Sequence, residues 1–486
     1  MEFIKECEDV DGLIKGVKLA LKDEALKYFH KIVEINIISF IWNSKLYVNP
    51  VWKKVFDDFF EVIRKAIESG NIDFLMNMHF MVYHIYGNLV QTIDEWKIYN
   101  KNVEIPASNF YKEWGRKNNL KKCKDKISEN KKKIGFLIDR IVLNSPLMVI
   151  YSLIKSLMEN QKFKEEYEIY IYSMRYIEKQ EDDDGWVYKF KSLGVKVYIP
   201  KEFDQYDFMV SHKDKALAIR DKIIEDGIDY LIGGAGYDIS TFIFSNRSAP
   251  KQIFWSHGNC AGDLDEFDIR ISHFSQECKD KEWRIFNIKI ADEFLVGNKS
   301  HKQKAKVLKD SMYATFGKDT VFLGTIGRYV KIDSDEYIKT IAKIMEQNPN
   351  TVYLACGAGD EESIRSKLKK YGIDLERFIF TGIINPHVFG WIIDIWPDSF
   401  PLRQGQSKEE FMAKSKPVVF MDKYLNDTIR KWYDGFDEKP IAKDEREYIE
   451  IVNRLINDKK YYNKVSEWNK NIFKKQSTNF SEVIYE

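Results

Sequence analysis

The sequence predicts an α/β chain in which two doubly wound domains of parallel strands and helices follow a helical N-terminal region. Three observations lead there. Short apolar runs alternate with helical patterns from about residue 131 to about residue 440, as in a parallel sheet covered on both faces. The alternation falls into two sets, which predicts two sheets. Before about residue 130 only helical spacing is present.

In chain order, "LIKGVKLALKDEALKYFHKIVEI" and "VWKKVFDDFFEVIRKAIESG" carry apolar residues at three- and four-residue steps, and Gly70 reads as a helix stop. "FLMNMHFMVYHIYGNLV" is rich in Met and aromatic residues and reads as a buried helix. His79 and His84 stand five apart there, off the four-residue step that aligns a metal pair, so packing is the expected role. The basic stretch "GRKNNLKKCKDKISENKKK" reads as a solvated helix or linker and sets a boundary near residue 130.

The first alternating set runs through "IGFLID", "YEIYIYSM", "VKVYIP", "DYLIGG", "KQIFWS" and "EFLVG". The second runs through "VFLGTIG", "TVYLACGAG", "RFIFTG", "WIIDIWPD" and "PVVFM". The expected domains are therefore 1–130, helical; 131–310, the first Rossmann-like domain; and 311–486, the second, with an amphipathic tail packing back. Two such domains would face a cleft between the C-terminal edges of their sheets. A length of 486 residues agrees with about three domains.

Charge bounds the partners. The 76 basic residues nearly cancel the 75 acidic ones, so no global field points to nucleic acid and any anion site must be local. The five cysteines lack the paired spacing of a zinc site or a disulfide framework, which fits a reducing, cytoplasmic setting. No apolar run of about 18 residues appears, so neither a membrane span nor a signal peptide is expected, and peripheral membrane contact stays compatible.

The second set holds the most informative chemistry. In "GTIGRYVK", Gly324 and Gly327 permit tight backbone, and Arg328 and Lys331 bring two cations to a loop-helix junction suited to an anion. Farther on, "DSFPLRQGQSKEEFMAKSKPVVF" leads a polar loop into a helix. The N–H groups of Gly405, Gln406 and Ser407 are available at its start. One turn in, the Glu410 carboxylate has the acceptors for a ribose diol. Glu409 reads as a helix-start carboxylate favoured by the dipole. A nucleotide diphosphate would satisfy both ends of this set. The acidic run "EDDD", Glu181 to Asp184, reads as a solvated turn rather than a metal site.

The order "GR..K", "CGAGD", "RFIFTG", "EEFMAKSKPVV" resembles the nucleotide-sugar-binding half of GT-B glycosyltransferases, most nearly the family of O-GlcNAc transferase and the bacterial HMW1C-like N-glucosyltransferases. "DSFPLRQGQS" is similar to the family's loop before the diphosphate helix, and Lys331 to its donor-binding lysine. "DYLIGGAGYDISTFIFSNRSAPKQIFWSHGN" is similar to its first domain, with His257 matching a histidine of HMW1C-like members. The chain departs at Leu402, where many GT-B enzymes carry a glutamate, and in "DRIVLNSP", which lacks the O-GlcNAc transferase histidine.

The resemblance implies inverting, metal-independent transfer of a sugar from a UDP-sugar to a polypeptide side chain, with no cofactor beyond the donor substrate. Lys331 would offset the charge of the departing diphosphate, assisted by Arg328 and Gln406–Ser407. Glu410 would hold the ribose, and the turn around Ile384 the base. His257 is the first candidate for the general base and Asp139 the second. The bland readings are a hydrogen-bonded histidine at a strand end and a loop-capping aspartate. Alternatives are a glycan or lipid-linked acceptor, a non-catalytic GT-B partner subunit, and an epimerase of UDP-sugars, which shares the donor half.

Overall fold

The computed structural model describes residues 10–39, 49–90, 92–202, 204–206, 209–234, 236–257, 262–273, 282–425, 427–474 and 478–481. The chain divides into one unit made of Met1–Ile288 with Thr478–Glu486, and a second made of Lys289–Ser477.

In the first unit, the expected first helix is two, Val10–Lys22 and Tyr28–Ser39, separated at the polar run after Lys22. The next helix, Phe56–Ser69, ends at Gly70, whose N–H bonds the Ile67 carbonyl. Helix Ile72–Leu89 is buried over most of its length. Its apolar residues Phe74, Leu75, Met76 and Met78 belong to the same hydrophobic cluster as Tyr172, Ile219, Leu231 and Phe242 of the strand-bearing part. The helical layer and the sheet therefore share one core. His79 lies against the Tyr111 hydroxyl at 3.3 Å, and His84 Nδ1 is 2.7 Å from the Phe80 carbonyl. Both imidazoles serve as packed, hydrogen-bonding groups.

The first sheet uses β1 (Lys132–Ile138), β2 (Tyr167–Ser173) and β3 (Lys196–Tyr198), then, past the small antiparallel pair β4 (Asp204–Tyr206) and β5 (Met209–Val210), β6 (Tyr230–Gly233), β7 (Lys251–Ser256), β8 (Ile269–Ser272) and β9 (Arg284–Ile285). Their order is β3-β2-β1-β6-β7-β8-β9, and every pair is parallel. Two details differ from the sequence expectation. Strands β8 and β9 follow β7, where no strand was expected. "EFLVG" is not a strand: Asp292–Leu295 forms a short helix with Asp292 and Glu293 in its first turn and Phe294 and Leu295 buried. Acidic residues suit a helix start.

The second unit has β10 (Val321–Ile326), β11 (Thr351–Cys356), β12 (Phe378–Gly382), β13 (Trp396–Pro397), β14 (Val418–Met421) and β15 (Ile441–Ala442). Two parallel triplets, β10-β11-β12 and β13-β14-β15, meet through a parallel bridge between Leu323 and Ile395. The Gly324 N–H bonds the Ile395 carbonyl at 3.2 Å, and the Asp394 N–H bonds the Phe322 carbonyl at 2.7 Å. The strand sequence is thus β12-β11-β10-β13-β14-β15, a doubly wound order. Its reversal point lies between β10 and β13, where such sheets bind ligands beyond the strands' C-terminal ends. In the first unit the reversal lies between β1 and β6. The tail helices Glu445–Asn457 and Lys459–Lys474 lie in the second unit, and the residues from 478 onward in the first. There the Asn287 N–H donates to Asn479 Oδ1 at 2.7 Å and Phe480 meets Phe286.

The basic stretch after Lys117 is irregular rather than helical, because one buried carboxylate holds it to the sheet. Asp229, fully buried, accepts from the Ser128 N–H at 2.6 Å and the Lys133 N–H at 2.8 Å, and lies 2.6 Å from Lys124 Nζ. Asp229→Ala leaves two backbone donors unsatisfied and should destabilise the chain by about 2–4 kcal/mol. Denaturant unfolding followed by circular dichroism measures this, and an unchanged midpoint would reject the clamp.

Candidate functional site

Two loops at the second unit's reversal point carry most of the residues singled out in the sequence. After β10 the chain turns at Gly327 and enters a short 3-10 turn, Tyr329–Lys331, before Ser334 caps helix Asp335–Gln347. Arg328 and Lys331 therefore sit at a strand-to-helix junction. The loop after β11 is stitched to it: the Gly327 N–H bonds the Cys356 carbonyl at 2.8 Å, and the Tyr329 N–H bonds the Ala358 carbonyl at 2.9 Å. Gly357 has φ 154°, and a Cβ there would lie 1.9 Å from the Gly327 carbonyl oxygen, so only glycine fits. A Cβ on Gly327 would likewise lie 2.3 Å from Gln404 Oε1. The glycines let the loops after β10 and β11 approach at backbone distance and leave room for the Gln404 side chain.

After β13, Asp398, Gln404 and Lys408 are all nearly inaccessible. Asp398 Oδ1 accepts from the Gln404 N–H at 3.2 Å, and its Oδ2 lies 3.5 Å from Lys408 Nζ. Lys408 Nζ also donates to the Gln404 carbonyl at 3.2 Å. Ser334 Oγ donates to the Phe400 carbonyl at 2.6 Å, and Ser407 Oγ to the Ile326 carbonyl at 2.7 Å. Gln404 Nε2 is buried with no hydrogen-bond partner. Helix Gln406–Ala413 then begins at Gly405 with no side-chain cap on its first N–H groups. An uncapped helix start, a buried unmatched amide donor and nearby cations favour an anion.

The electrostatics concentrate on Lys331. Burial, then the neighbouring charges of Arg328, Lys408 and Arg403, pull its ammonium down to about 8, with Asp398 opposing them. Four cations thus act on one another in this region, with the Asp398 carboxylate opposing them. Ligand charge would relieve that repulsion.

One turn into the helix, Glu410 is buried, and desolvation raises its carboxyl above the usual range; Lys414 opposes the shift and Glu409 adds to it. Lys414 Nζ is committed to carbonyls, those of Leu295 at 2.6 Å and Glu410 at 2.9 Å. Glu409 stands in the helix's first turn, as expected of a helix-start carboxylate; it is half-buried, and desolvation pushes it up to about 7. Ile384 is half-buried in the turn after β12, where the Gly382 carbonyl accepts from the Gly357 N–H at 2.9 Å. The second unit therefore gathers Arg328, Lys331, Ile384, Gly405, Gln406, Ser407 and Glu410 around its strand ends.

The other two candidates belong to the first unit. His257 follows β7 and packs on Trp255, ring centroids 4.5 Å apart. Burial lowers its imidazole to about 4, with the Asp139 charge opposing. The ring is neutral near pH 7. Asp139 follows β1; burial opposes its ionisation, but Lys179 and Arg140 bring the net shift below the usual carboxylate range. Lys179 Nζ lies 2.8 Å from Asp139 Oδ2 and 3.1 Å from His84 Nε2. Beside them, His212 is held between Asp238 and Glu178, both at 2.6 Å, and these carboxylates raise it to about 9 against the effect of burial. In the run Glu181–Asp184, Asp182 accepts from the Ser173 hydroxyl at 3.0 Å and Asp183 caps the helix Asp184–Ser192.

Sequence reasoning missed Asp398, Arg403, Gln404 and Lys408 as site groups, and Lys179, Glu178 and His212 in the first unit. The first four stand in "DSFPLRQGQSKEE", so the signal was a polar run placed directly after a β-strand. The others are brought together only by tertiary folding.

No family model matches the chain, and no curated protein matches it in sequence. Solved structures do. A mutant of Thermobaculum terrenum O-GlcNAc transferase is similar at TM-score 0.55 and 15% identity, over 96% of this chain and 93% of that one. Anabaena HepE in complex with UDP and glucose gives 0.46 and 12%, over 70% of this chain and 94% of that one. The apo form of the lipopolysaccharide outer core galactosyltransferase WaaB gives 0.44 and 15%, over 73% and 99%. The chain has the GT-B fold of the glycosyltransferases. The likeness to the O-GlcNAc transferase structure extends over nearly the whole length of the chain.

Anion affinity at this site should depend on the Lys331 proton. Because its ammonium is charged below about 8 and neutral above, UDP affinity should fall as pH rises through that value. Calorimetry between pH 6 and 9.5 checks this; a flat profile would exclude Lys331 as the titrating group.

Proposed function

We propose that this chain is a glycosyltransferase that moves a sugar from a UDP-sugar to a polypeptide side chain, without a metal and with inversion. The observation that carries the donor half is the cation cluster of Arg328, Lys331, Arg403 and Lys408 beside an uncapped helix start. As the bond between the anomeric carbon and the diphosphate oxygen breaks, negative charge grows on the leaving UDP. Preorganised cations and N–H groups lower that barrier. Lys331 takes the first share, with Arg328 and the Gln406–Ser407 N–H groups assisting. Glu410 accepts from the ribose hydroxyls, and the turn at Ile384 faces the base.

On the acceptor side, His257 is the preferred base, because a neutral imidazole has a lone pair to take the acceptor's proton. Asp139 is second, since its charge is already matched by Lys179 and Arg140. The polypeptide acceptor is supported by the sequence resemblance and by the whole-length likeness to a structure described as an O-GlcNAc transferase. Among the described residues no helix is long and apolar enough to cross a membrane. A cytoplasmic setting goes with this reading, with UDP-sugar and polypeptide as partners and no cofactor.

Incubation with a panel of UDP-sugars and protein extract, followed by intact-mass measurement, should reveal added hexose or N-acetylhexosamine on polypeptides. Product found only in lipid or free glycan would overturn the acceptor assignment. Millimolar UDP should raise the melting temperature, and absence of a shift would count against a donor site. Lys331→Ala should cut turnover by about 100-fold or more with the fold intact. Glu410→Ala should weaken UDP binding, while His257→Ala should slow transfer at unchanged UDP affinity. Near-wild-type values in any of these variants would remove the role assigned to that residue.

A further inference from the structure

Two neighbouring strands of the first sheet end alike. "WSH" closes β7 and "ISH" closes β8, and the register pairs Trp255 with Ile271 and Ser256 with Ser272. Because side chains alternate along a strand, Trp255, His257, Ile271 and His273 fall on one face of the sheet. The two imidazoles therefore leave the strand ends side by side, with ring centroids 5.4 Å apart at 63°.

The indole beneath them is closely held. Trp255 is 2% exposed, and its Nε1 donates to His273 Nδ1 at 3.1 Å. An indole nitrogen only donates, so His273 Nδ1 is an acceptor and the neutral ring carries its proton on Nε2. Burial, and then the neighbouring His257, keep that imidazole well below its ordinary range, in agreement with the neutral form. Phe286 packs on the indole at 5.7 Å and Phe136 at 6.3 Å. On the same indole rests the His257 ring, at 4.5 Å and 34°. Apolar packing is non-directional, whereas a hydrogen bond is directional, so the bond to His273 sets how the indole is turned.

We propose that His273 is a positioning residue for His257: its Nδ1 orients the Trp255 indole, and the indole orients the imidazole that takes the acceptor's proton. The inference rests on the reading of His257 as the base, and adds a second histidine that serves the reaction without touching substrate. Asparagine can present an oxygen close to where Nδ1 stands, glutamine reaches toward the Nε2 position instead, and leucine offers no acceptor. A small misplacement of a reacting group is costly, so His273→Leu and His273→Gln should slow transfer by about tenfold or more, and His273→Asn should stay within about threefold of the unaltered chain. UDP affinity, which in this reading depends on second-unit residues, should be the same in all three.

The test compares these variants of the full chain in three measurements. They are sugar incorporation into the polypeptides of a protein extract from UDP-glucose and UDP-N-acetylglucosamine, UDP affinity by calorimetry, and the indole N–H resonances of isotope-labelled protein, with Trp255 assigned by its loss in Trp255→Phe. Slow transfer in the Leu and Gln variants, recovery in the Asn variant, and no further loss from His273→Leu once His257 is replaced by alanine would support the proposal. Equal rates in the Asn and Gln variants would overturn it. So would a loss from His273→Leu that persists undiminished in the His257→Ala background, because that is the mark of packing alone. If His273→Leu does not fold, the Asn and Gln variants decide. Should His257→Ala keep the full rate, or the unaltered chain transfer no sugar, the base reading beneath the proposal falls. The indole anchor is then decided by the Trp255 resonance, which should move in His273→Gln and hold its place in His273→Asn; an unmoved resonance in the Gln variant overturns the anchor.

Discussion

The second unit depends on a short parallel bridge. Hydrogen bonds from Gly324 to Ile395 and from Asp394 to Phe322 join two three-stranded halves into one doubly wound sheet. A Cβ on Gly324 would lie 2.6 Å from the Leu354 carbonyl oxygen in its own half and 3.1 Å from Ile393 Cδ1 on the side of the other, so glycine leaves this strand room on both sides. Once the halves are joined, the loop after β10 and the loop after β13 must emerge side by side. Cations from one and N–H groups from the other then converge without any long-range device.

That convergence explains the unusual burial of charge nearby. Lysine is seldom fully buried unless paired, yet Lys408 and Lys414 are nearly inaccessible and both end on backbone carbonyls. Each holds a polar loop or helix end in a fixed position. Groups held this way do not have to be reorganised when a ligand arrives, which is the condition under which electrostatic stabilisation is strongest.

The alternation of strand and helix was legible because both sheets are covered on both faces, which makes most strands continuous apolar runs. Strands β8 and β9 escaped notice because they are four and two residues long and interrupted by Arg270 and Arg284. In the candidate site, the placement of Arg328, Lys331 and Glu410 near loop-helix junctions was legible because glycine-rich turns and a helix start flank them. The place of Asp398 was not legible, since nothing local distinguishes an aspartate that caps a loop from one buried against a lysine. The network of His84, Lys179 and Asp139 could not be read at all. It joins residues 95 and 40 positions apart, and only the shared core of the helices and the first sheet brings them together.

The last residues of the chain return to the first unit, where Asn479 and Phe480 dock on the segment around Phe286. In topological terms the second unit is an insertion: it is one uninterrupted stretch, while the first is closed by two separate pieces of chain. A premature stop that removed only the final residues would therefore injure the unit bearing His257 and Asp139, and spare every residue of the second unit. Selection against loss of the C-terminus would then act through the part of the protein farthest from it in sequence.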